Sequence, residues 1–187
     1  VADEEARLPA LERLLLSHRP ESSVVFCNTK RETQQVAEAL NAAGFSALAL
    51  NGDLEQPDRD RILAMFANKS VSVLVATDVA ARGLDIDALD AVFNYQIARE
   101  LEVHVHRIGR TGRAGGRGMA CTLVAEGERY RLEKLGDFLG DFRPDADASE
   151  WSGGAQSRLS LSRIRLRLTP APPVPGSLGP SQLSSFH

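Results

Sequence analysis

Residues 23–44 read SVVFCNTKRETQQVAEALNAAG. The first five form a continuous apolar run rich in valine, the pattern of a strand covered on both faces in a parallel sheet. The period then changes. Thr29 is placed to cap a helix, the following residues are amphipathic at helical spacing, and Gly44 is placed to stop it. A buried strand feeding directly into a helix is one repeat of an alternating α/β chain.

The same alternation extends in both directions. RLPALERLLLSH (7–18) has helical spacing, as does EQPDRDRILAMFAN (55–68), with Pro57 in its first turn where proline is tolerated. Strands are predicted at SALAL (46–50), VSVLVAT (71–77), LDAVFNY (89–95) and GMACTLVA (118–125), and a closing helix at EGERYRLEKLGDFL (126–139). Strands separated by helices predict an α/β fold, an open and mostly parallel sheet with helices on both faces. Ligands in such sheets sit at the carboxyl ends of the strands. The polar clusters NTK, NGD and TDVAARGLD all fall at such ends.

The chain has 187 residues, room for one domain of ordinary size and a tail or for two very small domains. Its apolar content of 43% suffices for a core. A net charge of −3 and a pI of about 5.8 do not suggest a basic nucleic-acid-binding domain, so any such site is a local patch. Cys27 and Cys121 both lie in strand-like apolar runs and read as reduced core thiols. No apolar run reaches the length of a membrane span, and the acidic N-terminus has no signal-peptide pattern. No metal site and no membrane association are expected, and the chain reads as cytoplasmic. Composition shifts near residue 145: residues 146–187 contain nine Ser, five Pro and four Gly. We therefore expect a folded domain over 1–143 and a low-complexity Ser/Pro/Arg-rich tail over 144–187 without a structure of its own. The alternation in RIRLRL (163–168) leaves a strand as the other reading.

Four arginines and five glycines interleave in HRIGRTGRAGGRG (106–118). Arg110 and Arg113 are three apart and share a face on a helical turn, where two planar guanidinium groups suit a phosphate. The chain has no G-x-x-x-x-G-K-[ST] phosphate loop. These arginines therefore read as fingers donated to a nucleotide held elsewhere, as in a RecA-like half that completes another domain's ATP site. In VATDVAARGLDI (75–86), turn chemistry accounts for Thr77, Asp78 and Gly83, but not for Arg82 and Asp85 beside that glycine. The Thr77 hydroxyl could hold a phosphate at a helix N-terminus. In NGDLEQPDRD (51–60), Gly52 suits a tight turn, and Gln56 and Arg59 lie one helical turn apart. On spacing alone, a solvated charged face is the favoured reading of that stretch. His104 and His106 alternate as a strand-edge metal pair would, yet no third ligand is evident, and structural roles are the other reading.

Together VVFCNT, NGDLEQPDR, VATDVAARGLDI and HRIGRTGR, in that order, resemble the C-terminal RecA-like lobe of DEAD-box ATP-dependent RNA helicases of superfamily 2. The resemblance covers roughly residues 1–143. It implies that Arg110 and Arg113 reach the γ-phosphate of ATP and act catalytically with His106, which bonds across to an N-terminal lobe. It implies that Asp85 accepts from the ATP ribose and that Arg82 braces the interface between lobes. Asn28, Gly52, Arg59, Thr77 and Gly83 would line the side that grips RNA phosphates. ATP is the implied cofactor, with Mg2+ bound mainly by the N-terminal lobe, which this sequence lacks. The implied partners are that lobe and single-stranded or short duplex RNA, with the protein a monomer and ribosomal RNA remodelling a possible task. This chain alone is expected to be inactive. The competing readings are a non-catalytic RNA-binding or regulatory RecA-like module and a DNA translocase lobe of the same superfamily.

Overall fold

The computed structural model describes residues 5–82, 89–111, 118–139, 150–153 and 157–164. The stretch that opened the sequence reading forms strand β1 (Ser23–Cys27) and helix α2 (Lys30–Ala42). Thr29 is extended, and its hydroxyl accepts the Glu32 amide at 3.2 Å. The hydroxyl also donates to the Glu32 carboxylate at 3.0 Å. Gly44 leaves the helix at φ 90°, a left-handed conformation that disfavours side chains.

The remaining elements are α1 (Arg7–His18), β2 (Ala47–Leu50), α3 (Gln56–Ala67), β3 (Val73–Thr77), a single turn α4 (Asp78–Ala81) and β4 (Ala91–Asn94). There follow α5 (Leu101–Ile108), β5 (Met119–Val124), a short 3-10 turn (Glu126–Glu128) and α6 (Arg129–Leu139). Strands β2, β3, β1, β4 and β5 lie side by side in that order, each pair parallel. No described helix is long and apolar enough to cross a membrane.

Alternate residues of each strand feed two hydrophobic layers. Val25 and Cys27 of β1 join Val75, Phe93 and Leu123 under α1 and α2, which contribute Leu11, Leu15, Val36 and Leu40. Val24 and Phe26 face the other way, with Leu74 and Val92, against Phe66 of α3, Ile108 of α5 and Leu135 of α6. Burial on both faces explains why the strands read as continuous apolar runs rather than alternating ones.

Two places add to the sequence expectation. Leu101–Ile108, carrying both histidines, is helix and not strand edge. Residues i and i+2 of a helix point apart, so His104 is buried while His106 is exposed. Within the expected tail, two further strands are described, β6 (Glu150–Gly153) and β7 (Ser157–Ile164). Strand β7 pairs antiparallel with β5, and β6 with β7. The sequence RLSLSRI alternates with the strand period, and β5 would otherwise present a row of unpaired backbone groups at the sheet edge. The rest of the expected tail, including most of RIRLRL, lies outside the described residues.

Candidate nucleotide and RNA interface

The carboxyl ends of the five parallel strands gather on one rim, and the polar side chains collect there. Thr77 ends β3, and its hydroxyl caps α4 by accepting the Ala80 amide at 3.3 Å. Asp78 follows at once, and its carboxylate meets Arg107 in the last turn of α5. Nε of Arg107 donates to one Asp78 oxygen at 2.6 Å, and Nη2 donates to the other at 2.6 Å. The same Nη2 donates to Asn28 Oδ1 at 2.9 Å, and Nη1 donates to the Gln96 carbonyl at 3.1 Å. The guanidinium also stands 5.2 Å from the Phe26 ring centre. One arginine, 1% exposed at its side chain, thus ties together the segments following β1, β3 and β4. The sequence reading passed over it because Arg107 is one of four arginines in a glycine-rich run, and only three-dimensional placement separates it from its neighbours. Asp78 was read as turn chemistry alone.

Beside this fork opens a cleft. Arg82, His106 and Arg110 line it together with Asp78, Arg107 and the apolar Phe26, Ala81 and Val103. Three of the site residues expected to face nucleotide or the other lobe are therefore brought to one place. Arg82 and Arg110 bring two further guanidinium groups to the lining, a chemistry suited to an anion. The expected site residues Gly83, Asp85 and Arg113 lie outside the described residues.

Of the residues expected to grip RNA, Asn28, Gly52 and Thr77 stand at or just after the carboxyl ends of β1, β2 and β3, and Arg59 lies on α3. Arg59, half-buried on α3, donates through Nη2 to the Ala80 carbonyl at 2.6 Å and so holds the α4 turn. Gly52 is exposed in the turn after β2, and a Cβ there would come no closer than 3.7 Å to the Lys30 side chain. Lys30 pairs with Asp53 at the surface. Asn28 is committed inward on both sides of its amide, receiving Arg107 and donating to the Ile97 carbonyl at 3.1 Å. Gln56 turns to its own helix, donating to Asp60 at 2.7 Å.

His104 is part of the framework. Its Nδ1 accepts the Ala98 amide at 3.3 Å and its Nε2 lies 3.2 Å from the Thr122 hydroxyl. Burial, followed by the nearby Arg107 charge, lowers its pKa to about 3, so the ring is neutral at ordinary pH. Among the described residues no three His, Cys, Asp or Glu side chains gather to hold a metal ion.

Comparison with known proteins agrees with this geometry. The helicase conserved C-terminal domain family matches residues 6–115. The chain is 56% identical over 135 residues to the ATP-dependent RNA helicase DbpA of Escherichia coli K12, covering 72% of this chain and 30% of that protein. Its fold is similar to that of the E. coli DEAD-box protein SrmB in a complex with RraA, with a TM-score of 0.70 at 36% identity, over 74% of this chain and 81% of that one. It is also similar to S. cerevisiae Dbp5 bound to RNA and ADP BeF3, with a TM-score of 0.68 at 31% identity over 75% of this chain and 38% of that one. The chain spans 25–30% of the length of curated relatives such as DbpA and CshA.

Proposed function

The chain belongs to the helicase C-terminal domain family as the RecA-like C-terminal lobe of a DEAD-box protein, and on that premise we propose that it serves an ATP-dependent RNA helicase by completing an ATP site and gripping RNA. The observation that carries this reading is the convergence of Arg82, His106 and Arg110 on one cleft. The cleft lies on the rim where sheets of this kind bind ligands.

The cationic lining fits the phosphates of ATP. Arg110, with Arg113, stabilises the charge that develops on the transferring phosphoryl group, an effect realised in the transition state. His106 and Arg82 face the N-terminal lobe, and Asp85 accepts from the ribose. Mg2+ would be bound mainly by the N-terminal lobe, alongside the nucleotide that this cleft completes. Arg59 and the Thr77 turn hold RNA phosphates, contacts that position a strand without reading its bases. Two relatives support the ligand classes: the solved structure of Dbp5 is described as bound to RNA and ADP BeF3, and the curated relative DbpA is named an ATP-dependent RNA helicase.

The test joins the 187-residue chain behind the N-terminal lobe of E. coli DbpA and follows ATP hydrolysis with and without RNA. We expect RNA-stimulated turnover. Arg110→Ala should lower kcat by roughly 10³-fold or more while ATP binding is largely kept, as for a finger acting in the transition state. A joined protein that binds RNA but never hydrolyses ATP would instead favour a non-catalytic RNA-binding module.

A further inference from the structure

Arg107 is the most heavily committed side chain on the rim, and it holds nothing but protein. Its four hydrogen bonds reach Asp78, Asn28 and the Gln96 carbonyl. A buried ion pair is a poor device for stability alone, since the cost of desolvating both charges rivals their attraction and apolar packing often does as well. What such a fork supplies is fixed geometry: a planar guanidinium bound at two points to a carboxylate has little freedom left. On one side of the fork, Asp78 is bonded in sequence to Thr77 and opens the α4 turn that Arg59 braces through the Ala80 carbonyl. On the other side, Arg107 precedes Arg110 by one helical turn and adjoins His106, both on the cleft wall.

We propose that the Asp78–Arg107 fork is a positioning strut that registers the RNA-gripping turn against the cleft residues His106 and Arg110, so that a strand held on one side sets the aim of the arginine on the other. This rests on the functional reading above. Asp78 and Arg107 border the cleft, but their polar groups are engaged with each other and with the protein around them. They act through Thr77 and Arg59 on one side and through Arg110 and His106 on the other.

The experiment uses the joined protein with Asp78→Asn, which keeps the shape but replaces one acceptor oxygen by a donor facing the guanidinium. Arg107→Lys is the second variant, keeping the charge and losing the two-point fork. Urea unfolding of each variant establishes that it folds. Misaiming a catalytic group by about 1 Å costs on the order of 10²-fold in rate. We therefore expect kcat at saturating RNA to fall by that order, with KM for ATP and the RNA concentration for half-stimulation within about two-fold of the parent. Leu135→Ala, which opens the buried layer under α6 and removes no polar group of the fork, serves as the destabilised control and should keep its kcat. Folded fork variants with unchanged kcat would overturn the proposal. So would a loss of kcat that the Leu135→Ala control shares, since that would mark a general effect of stability. An unsubstituted joined protein that shows no RNA-stimulated turnover would overturn the functional reading itself, and the strut with it.

Discussion

His104 and His106 are two residues apart on one helix and have opposite fates. His106 is exposed on the cleft wall, while His104 is sealed between the Ala98 amide and the Thr122 hydroxyl. The buried ring's pKa is lowered from the ordinary 6.5 to about 3. The unfolded chain therefore takes up a proton that the folded chain refuses as pH falls below 6.5. The folded state is fully favoured above 6.5 and loses stability towards pH 3, by up to about 1.4 kcal/mol per pH unit from this ring. Urea unfolding at pH 7 and pH 5 should show a stability loss that His104→Gln lacks, so that parent and variant converge as the solution is acidified. Equal pH dependence in both would mean the ring titrates normally. The sequence offered two structural alternatives for these histidines, and only the helix that carries them decides between them.

At the scale of elements, the capped start of α2 is the clearest local feature. Thr29 satisfies the Glu32 amide, and the Glu32 carboxylate reaches on to Gln96 after β4. Thr29→Ala should cost about 1 kcal/mol of stability, read as a lower urea midpoint with an unchanged slope. The strand and helix pattern was legible because both sheet faces are covered, which writes each strand as an apolar run and each helix as an amphipathic one. The boundaries erred mainly by a residue or two at strand ends, where pairing with neighbours decides. Helix α5 was harder to see: EVHVHRI alternates in a way that fits either period, and its packing of Ile108 and His104 settles it. β6 and β7 were hidden by Ser and Gly in a stretch too polar to bury a layer of its own. They form on the edge that β5 offers, which is a property of the sheet and not of the segment. Among site residues, the motif glycines and arginines stood out by composition, but the division of labour did not. Arg107 and Arg110 look alike in the sequence, yet one is spent on Asp78, Asn28 and Gln96 while the other lines the cleft. Asn28, expected at RNA, has its amide engaged inside the protein.

Across the whole molecule, the strands form one sheet in which β1 is the middle strand of the parallel part and β5 joins that part to the antiparallel extension. The two cysteines mark these two places. Cys27 ends β1, between β3 and β4, and burial holds its thiol well above the ordinary range. Cys121 lies within β5, between β4 and β7. Both sulfurs are buried, so alkylation of either waits on local opening of the sheet around it. The chain thus carries two built-in clocks for its own opening. Peptide mass spectrometry after timed exposure to iodoacetamide should find Cys121 modified before Cys27 if the sheet unzips from the β5 side. A common rate for both would mean that the parallel sheet opens only as one cooperative body.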